Sequence, residues 1–266
     1  DPNDPNEVGI PASGAGLYCW LGGINIQDCN ISGNIADFSG GGVYLRDVNS
    51  SSFINSLIIN NAAGRDGGGV SANWYTTPVI SNCTFVGNAS AGNIGEPNNT
   101  GFGGGLFCSY ESDCTITDSI FWNNFALKGT AIAVGGGFEF DQRFATLAIS
   151  YSDIKDGRSA VWVDDGCTLN WGAGNIDDDP LFTMGLLGNY YLGQTGAGQS
   201  RNSPCVDAGS DYASYVGLIG YTTRTDDTPD TGIVDMGYHH PRTEPCRLCD
   251  LVMDGIINFR DFAILA

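Results

Sequence analysis

An all-β solenoid, a chain wound into stacked turns, is the fold this sequence predicts, and three observations carry it. Glycine triplets recur, each before a short apolar strand: Gly40-Gly41-Gly42 leads into Val43-Tyr44-Leu45, Gly67-Gly68-Gly69 into Val70-Ser71-Ala72, and Gly103-Gly104-Gly105 into Leu106-Phe107-Cys108. Degenerate copies stand at Gly14-Ala15-Gly16 and Gly129-Thr130-Ala131. A second signature follows most triplets, beginning as Asp28-Cys29-Asn30-Ile31-Ser32-Gly33-Asn34. It returns from Asn55, Asn82, Asp118 and, fading, Tyr151, at spacings of 27, 27, 36 and 33 residues. Finally, the apolar stretches alternate with period 2, and no run has helical spacing. Strands and turns repeating at this length are the mark of a stacked solenoid.

Each part of the repeat has a physical reason. One turn cannot bury its own apolar face, so turns stack roughly 4.8 Å apart and pair their backbone groups with the turns above and below. Glycine is wanted at the sharp corners because it reaches positive φ without a Cβ clash. Asparagine is the next most tolerant residue there, and stacked asparagines bond along the axis. With these residues in place the chain resembles the right-handed parallel β-helix family, the pectate-lyase-like superfold, over about residues 14–182. The alternative the same pattern allows is a β-sandwich with Gly-rich hairpins.

Composition narrows the function. The 266 residues carry 30 Asp plus Glu against 11 Lys plus Arg, a formal net charge of −19. Such acidity argues against nucleic acid, whose phosphates need a basic surface, and against an anionic membrane surface. It suits a secreted or cell-surface protein that stays soluble by repulsion or collects divalent cations. No stretch reaches the ~18 apolar residues of a membrane span. The first residue is Asp1, not Met, which reads as a mature or trimmed chain. Nine cysteines point to an oxidising compartment. The expected local disulfides are Cys108 with Cys114 and Cys246 with Cys249, with Cys19 and Cys29 as a further pair. Cys29 and Cys83 fall on equivalent positions two turns apart, too far to bridge.

Taken in order, residues 1–13 are a polar, proline-punctuated lead-in. No amphipathic helix there seals the first turn, so either a cap has been removed or another chain covers that end. Residues 14–182 hold the solenoid, about six turns. Its longest spacing marks an inserted stretch from Ala89 to Phe102, and insertions collect on one face, often a binding face. Asn175-Ile176-Asp177-Asp178-Asp179-Pro180-Leu181-Phe182, Ser203-Pro204-Cys205-Val206-Asp207-Ala208-Gly209 and Val234-Asp235-Met236-Gly237-Tyr238 resemble the elements that follow the last turns in secreted β-helix proteins. The resemblance implies a cap at 183–240, wrapped over the final turn. A linker, 241–249, carries the Cys-x-x-Cys. Residues 250–266 resemble half a dockerin, a calcium loop running into a helix. That resemblance implies calcium held by Asp250, Asp254, Ile256, Asn258 and Asp261 around the turn at Gly255, with Val252 standing where a side-chain oxygen belongs.

No constellation for catalysis emerges, and the expected set of catalytic residues is none. Polysaccharide lyases need clustered Arg or Lys; here the cations are scattered. Hydrolases need two carboxylates about 5 to 9.5 Å apart. Asp164 and Asp165 are adjacent on a strand and point to opposite faces, while Asp177, Asp178 and Asp179 read as turn residues. His239 and His240 lack a nucleophile partner and read as structural. Five Asn-x-Ser/Thr sequons are candidate glycan sites: Asn30, Asn49, Asn82, Asn88 and Asn98. The function expected is a non-catalytic extracellular structural protein (a scaffold, adhesin or filament subunit) that self-associates, even head to tail through its C-terminal segment. The alternatives are an enzyme acting on acidic polysaccharide and a carbohydrate-binding module.

Overall fold

The structure is a computed structural model that describes residues 13–92, 101–135 and 143–242. The expected calcium loop, the Cys246–Cys249 pair and Asn98 lie outside these residues.

Within them the chain forms a coil of parallel strands. The front sheet has ten strands; Leu17–Gln27 and Val43–Ile54 run through it whole. Later turns cross it in two pieces, such as Val70–Asn73 with Pro78–Ser81 and Leu106–Ser109 with Asp113–Thr117. A side sheet stacks Asn30–Ser32, Leu57–Ile59, Thr84–Val86, Ile120–Trp122 and Asp153–Ile154. A third, of two-residue strands, closes the turn. Every pairing between turns is parallel, and like positions stack: Ile31 on Ile58, Ile58 on Phe85, Phe85 on Phe121, Phe121 on Ile154. The sandwich alternative is thereby excluded, since it would require antiparallel sheets.

The signatures explain themselves in place. The first glycine of the triplets sits at positive φ: +69° at Gly40, +65° at Gly67, +61° at Gly103. The second has no room for a side chain, because a Cβ on Gly41, Gly68 or Gly104 would meet a carbonyl oxygen of a neighbouring segment at 2.4 Å. The second signature opens on a left-handed corner, Asp28, Asn55, Asn82, Asp118 and Tyr151, at φ between 44° and 52°. Its next position is a ladder in which Cys29, Ser56, Cys83, Ser119 and Ser152 occupy one column. Ser56 Oγ accepts from Cys29 N and Ser119 Oγ from Cys83 N, both at 3.2 Å. Its last position is an asparagine ladder. Asn34 donates to Asn61 Oδ1, Asn61 to Asn88 Oδ1 and Asn88 to Asn124 Oδ1, each side-chain amide at 3.0 Å. The amides of Asn61 and Asn88, both fully buried, are thereby satisfied along the axis, as buried polar groups must be. Inside, Phe85 and Phe121 stack with centroids 4.4 Å apart.

The expected cap is not a lid on the last turn. Residues 183–242 turn back and run along the flank as a strap. Cys205 Sγ donates to Asp153 Oδ2 at 3.3 Å, and Ser210 binds Asp118 through N and Oγ at 2.6 and 2.7 Å. Tyr238 N then reaches Thr84 Oγ1 (2.9 Å), His239 and Asn55 exchange two hydrogen bonds (2.7 and 2.9 Å), and Tyr221 OH reaches Asp28 (2.9 Å). The partners descend through all five left-handed or adjoining positions of the side sheet. The reason is apolar: the outward face of that sheet carries Ile120, which packs with Leu192, Cys205 and Met236 in a buried cluster. Burying each such side chain contributes about 1.5–3 kcal/mol.

Candidate ligand-binding face

On the front sheet, inward residues such as Val43, Leu45, Val70 and Leu106 are fully buried, so their neighbours point out. In register they form two outward rows: Tyr18, Tyr44, Ser71 and Phe107 in one, Trp20, Arg46 and Asn73 in the next. Where the chain bends between the two pieces of the sheet, four large residues take the left-handed conformation: Trp74, Tyr75, Tyr110 and Glu111, at φ 56°, 57°, 53° and 58°. Bulky side chains there cost of order 1–3 kcal/mol each, and such strain collects at functional sites.

The rings are held by one another and by cations. Tyr18 stacks on Tyr44 at 5.3 Å and Trp74 on Tyr110 at 4.6 Å. The Arg46 guanidinium lies 5.8 Å from the Trp20 ring and 5.4 Å from that of Trp74, bridging them. Arg143 sits over Trp74 and Tyr75 at 5.2 and 5.5 Å and also bonds the Tyr75 hydroxyl. Arg46 Nε is 3.4 Å from Asp47 Oδ2, but its direction leaves this buried nitrogen without a hydrogen bond. Burial pushes the Tyr44 phenol up to about 12, so it stays a neutral donor. Trp20 is 59% exposed and Tyr18 50%. A second cation, Lys128, lies over Phe102 and Trp162 (5.1 and 4.8 Å). Rings beside cations on a rigid sheet suit a ligand with weakly polarised C–H faces and oxygen acceptors.

A shallow concavity of about 490 Å³ lies elsewhere, over the last turns, with Thr115, Ala148, Ser150 and Asn170 on its outward side. None of the described residues that line it is ionisable.

The residues singled out in the sequence fall in different places. Asn30 and Asn49 are exposed. Asn82 and Asn88 are not available for glycans: they are 2% and 0% exposed, and their amides are bound to Asp235 O and to Ile58 O and Asn124. Both asparagines serve the corners and ladder that generate the sequons. The Cys108–Cys114 and Cys19–Cys29 disulfides are likewise corrected, since all seven described cysteines are free thiols. Cys29 and Cys83 serve instead as serine-like ladder members, donating to Gln27 O and Ser81 O. Asp177 and Asp179 accept backbone N–H groups of Asp156 and Leu181 at 2.8 and 2.9 Å, the turn role expected of them. His240 stacks on Tyr191 at 3.7 Å, and burial lowers its pKa to about 4, so it packs as a neutral ring. The ring face was missed, although Trp20, Arg46, Trp74 and Tyr110 recur near the turn spacing. In the strap, Asp230, Asp235 and His239 converge, all buried.

Against known proteins, a family described as "Right handed beta helix region" matches residues 10–176. Metabotropic glutamate receptor-like protein R of Dictyostelium discoideum is 36% identical over 112 residues, which is 39% of this chain and 6% of that protein. No solved structure matches. Among the described residues no helix is long and apolar enough to cross a membrane.

Proposed function

The chain belongs to the right-handed β-helix family, and on that frame we propose a non-catalytic extracellular scaffold or adhesin that holds a carbohydrate chain against its ring-lined front face. The observation that carries this reading is the Arg46 guanidinium set between Trp20 and Trp74, with Tyr110 stacked beyond. Sugar rings offer C–H faces to the aromatic planes and hydroxyl or carboxylate oxygens to the guanidinium, and both contacts gain from a surface that does not reorganise. Similarity to a segment of a receptor-like protein is in keeping with recognition at a surface. Calcium at Asp250–Asp261 and glycans at Asn30 and Asn49 belong to the same extracellular reading.

The test is a glycan array probed with the wild-type chain and with Trp20→Ala and Trp74→Ala. Retention of a polysaccharide by the wild type and its loss in both variants supports the proposal. Equal retention by all three proteins would overturn it, and product release from the bound polysaccharide would make the protein an enzyme.

A second reading, self-association, has its own observation. Among the described residues the eleven-residue strand Leu17–Gln27 is paired on one side only, with Val43–Ile54. An unpaired edge is a template for another chain. Light scattering that reports a monomer at every concentration would dismiss it.

A further inference from the structure

We propose that Asp230, Asp235 and His239 form a site for one borderline d-block dication of the zinc type, which fastens the strap to the solenoid. One ligand atom from each residue lies within 4.8 Å of the other two, and all three residues are buried. The histidine is already oriented as a ligand. Its Nδ1 is 3.0 Å from the Gly237 carbonyl, which can only accept, so Nδ1 carries a proton and Nε2 faces the carboxylates, 2.9 Å from Asp230 Oδ2. A backbone carbonyl on the far nitrogen is the usual outer partner of a metal-bound imidazole.

The carboxylates have outer partners too. Asp235 Oδ1 accepts Asp207 N–H at 2.7 Å, its Oδ2 accepts from Gln194 and Thr223, and Asp230 Oδ2 accepts Asp235 N–H at 3.0 Å. The nearby cation, Arg224, is committed to Asp226 through bonds of 2.9 and 2.6 Å. Two carboxylates and a neutral imidazole sum to −2. One extra proton on the ring leaves −1 in the interior, whereas a dication leaves zero, and uncompensated buried charge is costly. One nitrogen and carboxylate oxygens suit zinc, cobalt or manganese; calcium asks for six to eight oxygens. Both flanks of the site grip the solenoid, through Asn55 to His239 and Asn82 to Asp235, so a bound ion would couple strap docking to metal.

The experiment is a titration of the EDTA-treated full chain with zinc by calorimetry, repeated with cobalt by absorption. One zinc per chain is expected, with a rise in Tm and a cobalt spectrum free of thiolate charge transfer. His239→Gln and Asp230→Asn should weaken binding far more than tenfold. Gln194→Ala, which touches only an outer bond and spares the fold should those two fail, should weaken it by about tenfold. No zinc binding, binding indifferent to all three substitutions, or a thiolate band that assigns the ion to cysteines would each overturn the site and leave a proton-held cluster in its place.

Discussion

Two outward faces of the same coil carry apolar side chains, and they are treated differently. The side sheet offers Ile120, and the strap buries it with Leu192 and Met236. The front sheet offers Tyr18, Trp20 and Tyr75, which stay 50%, 59% and 42% exposed. Farther along the same outward rows Ser71, Asn73 and Phe107 are buried, so the open rings are confined to the first turns and the bend of the front sheet. Large exposed rings gathered with cations on one rigid sheet mark a face kept for a partner. The coil beneath is common to both, so substitutions can separate what it supplies from what each face adds.

The largest effect should come from the coil. Asn88 takes part in four side-chain hydrogen bonds, to Asn61 (two), Ile58 and Asn124. Asn88→Ala is expected to cost about 4 kcal/mol in denaturant unfolding. The same change at partly buried Asn34, at the end of the ladder, should cost about 1 kcal/mol. Equal costs would mean that the ladder contributes nothing cooperative.

Next in size, Met236→Ala should cost about 2–4 kcal/mol and open the strap to protease while the coil resists. Uniform digestion would erase the distinction between the covered flank and its cover.

A pH effect sharpens the same joint. Burial pushes the Asp153 carboxyl, which accepts from Cys205 and Asp178, up to about 7. The folded chain therefore holds a proton that the unfolded chain releases above its ordinary value of 3.8. Its contribution to stability is full below that value and is lost as pH rises through about 7. Asp153→Asn, which mimics the protonated acid, should flatten the loss of Tm between pH 4 and pH 7.

The smallest change in stability, within about 1 kcal/mol, is expected for Trp20→Ala, because the ring is mostly exposed. It should nevertheless abolish polysaccharide retention, the reverse of Met236→Ala, which should leave retention intact. A Trp20 variant that unfolds readily would show that these rings are packing.

Much of the coil was legible because its constraints are local and repeated. Gly40, Gly67 and Gly103 announce corners, and Asn34, Asn61, Asn88 and Asn124 announce a ladder at a fixed offset from them. The same regularity misled where one residue type serves two purposes. Asn82 and Asn88 spell sequons because the corner wants asparagine at the first and the ladder at the second, each two residues before a strand Thr or Ser. Cys29 and Cys83 suggest disulfide chemistry while filling serine places. The strap's course was hidden for the opposite reason. His239 meets Asn55 across 184 residues with no period to announce it, and a sequence motif that says "after the last turn" does not say which way the chain then goes. The ring face is composite: one or two residues from each of several turns, unremarkable alone, and aligned only once the register is known.

The uneven third turn has a practical corollary. Its extra length enters after Ser90, and by Phe102 the backbone is again in bridge register with both Asp66 below and Lys128 above. The axial pitch is therefore blind to what is spliced in at that corner. A foreign peptide cassette grafted between residues 92 and 101 should be carried at the side of the spool without rethreading it, which makes this corner the natural port for engineering new specificities.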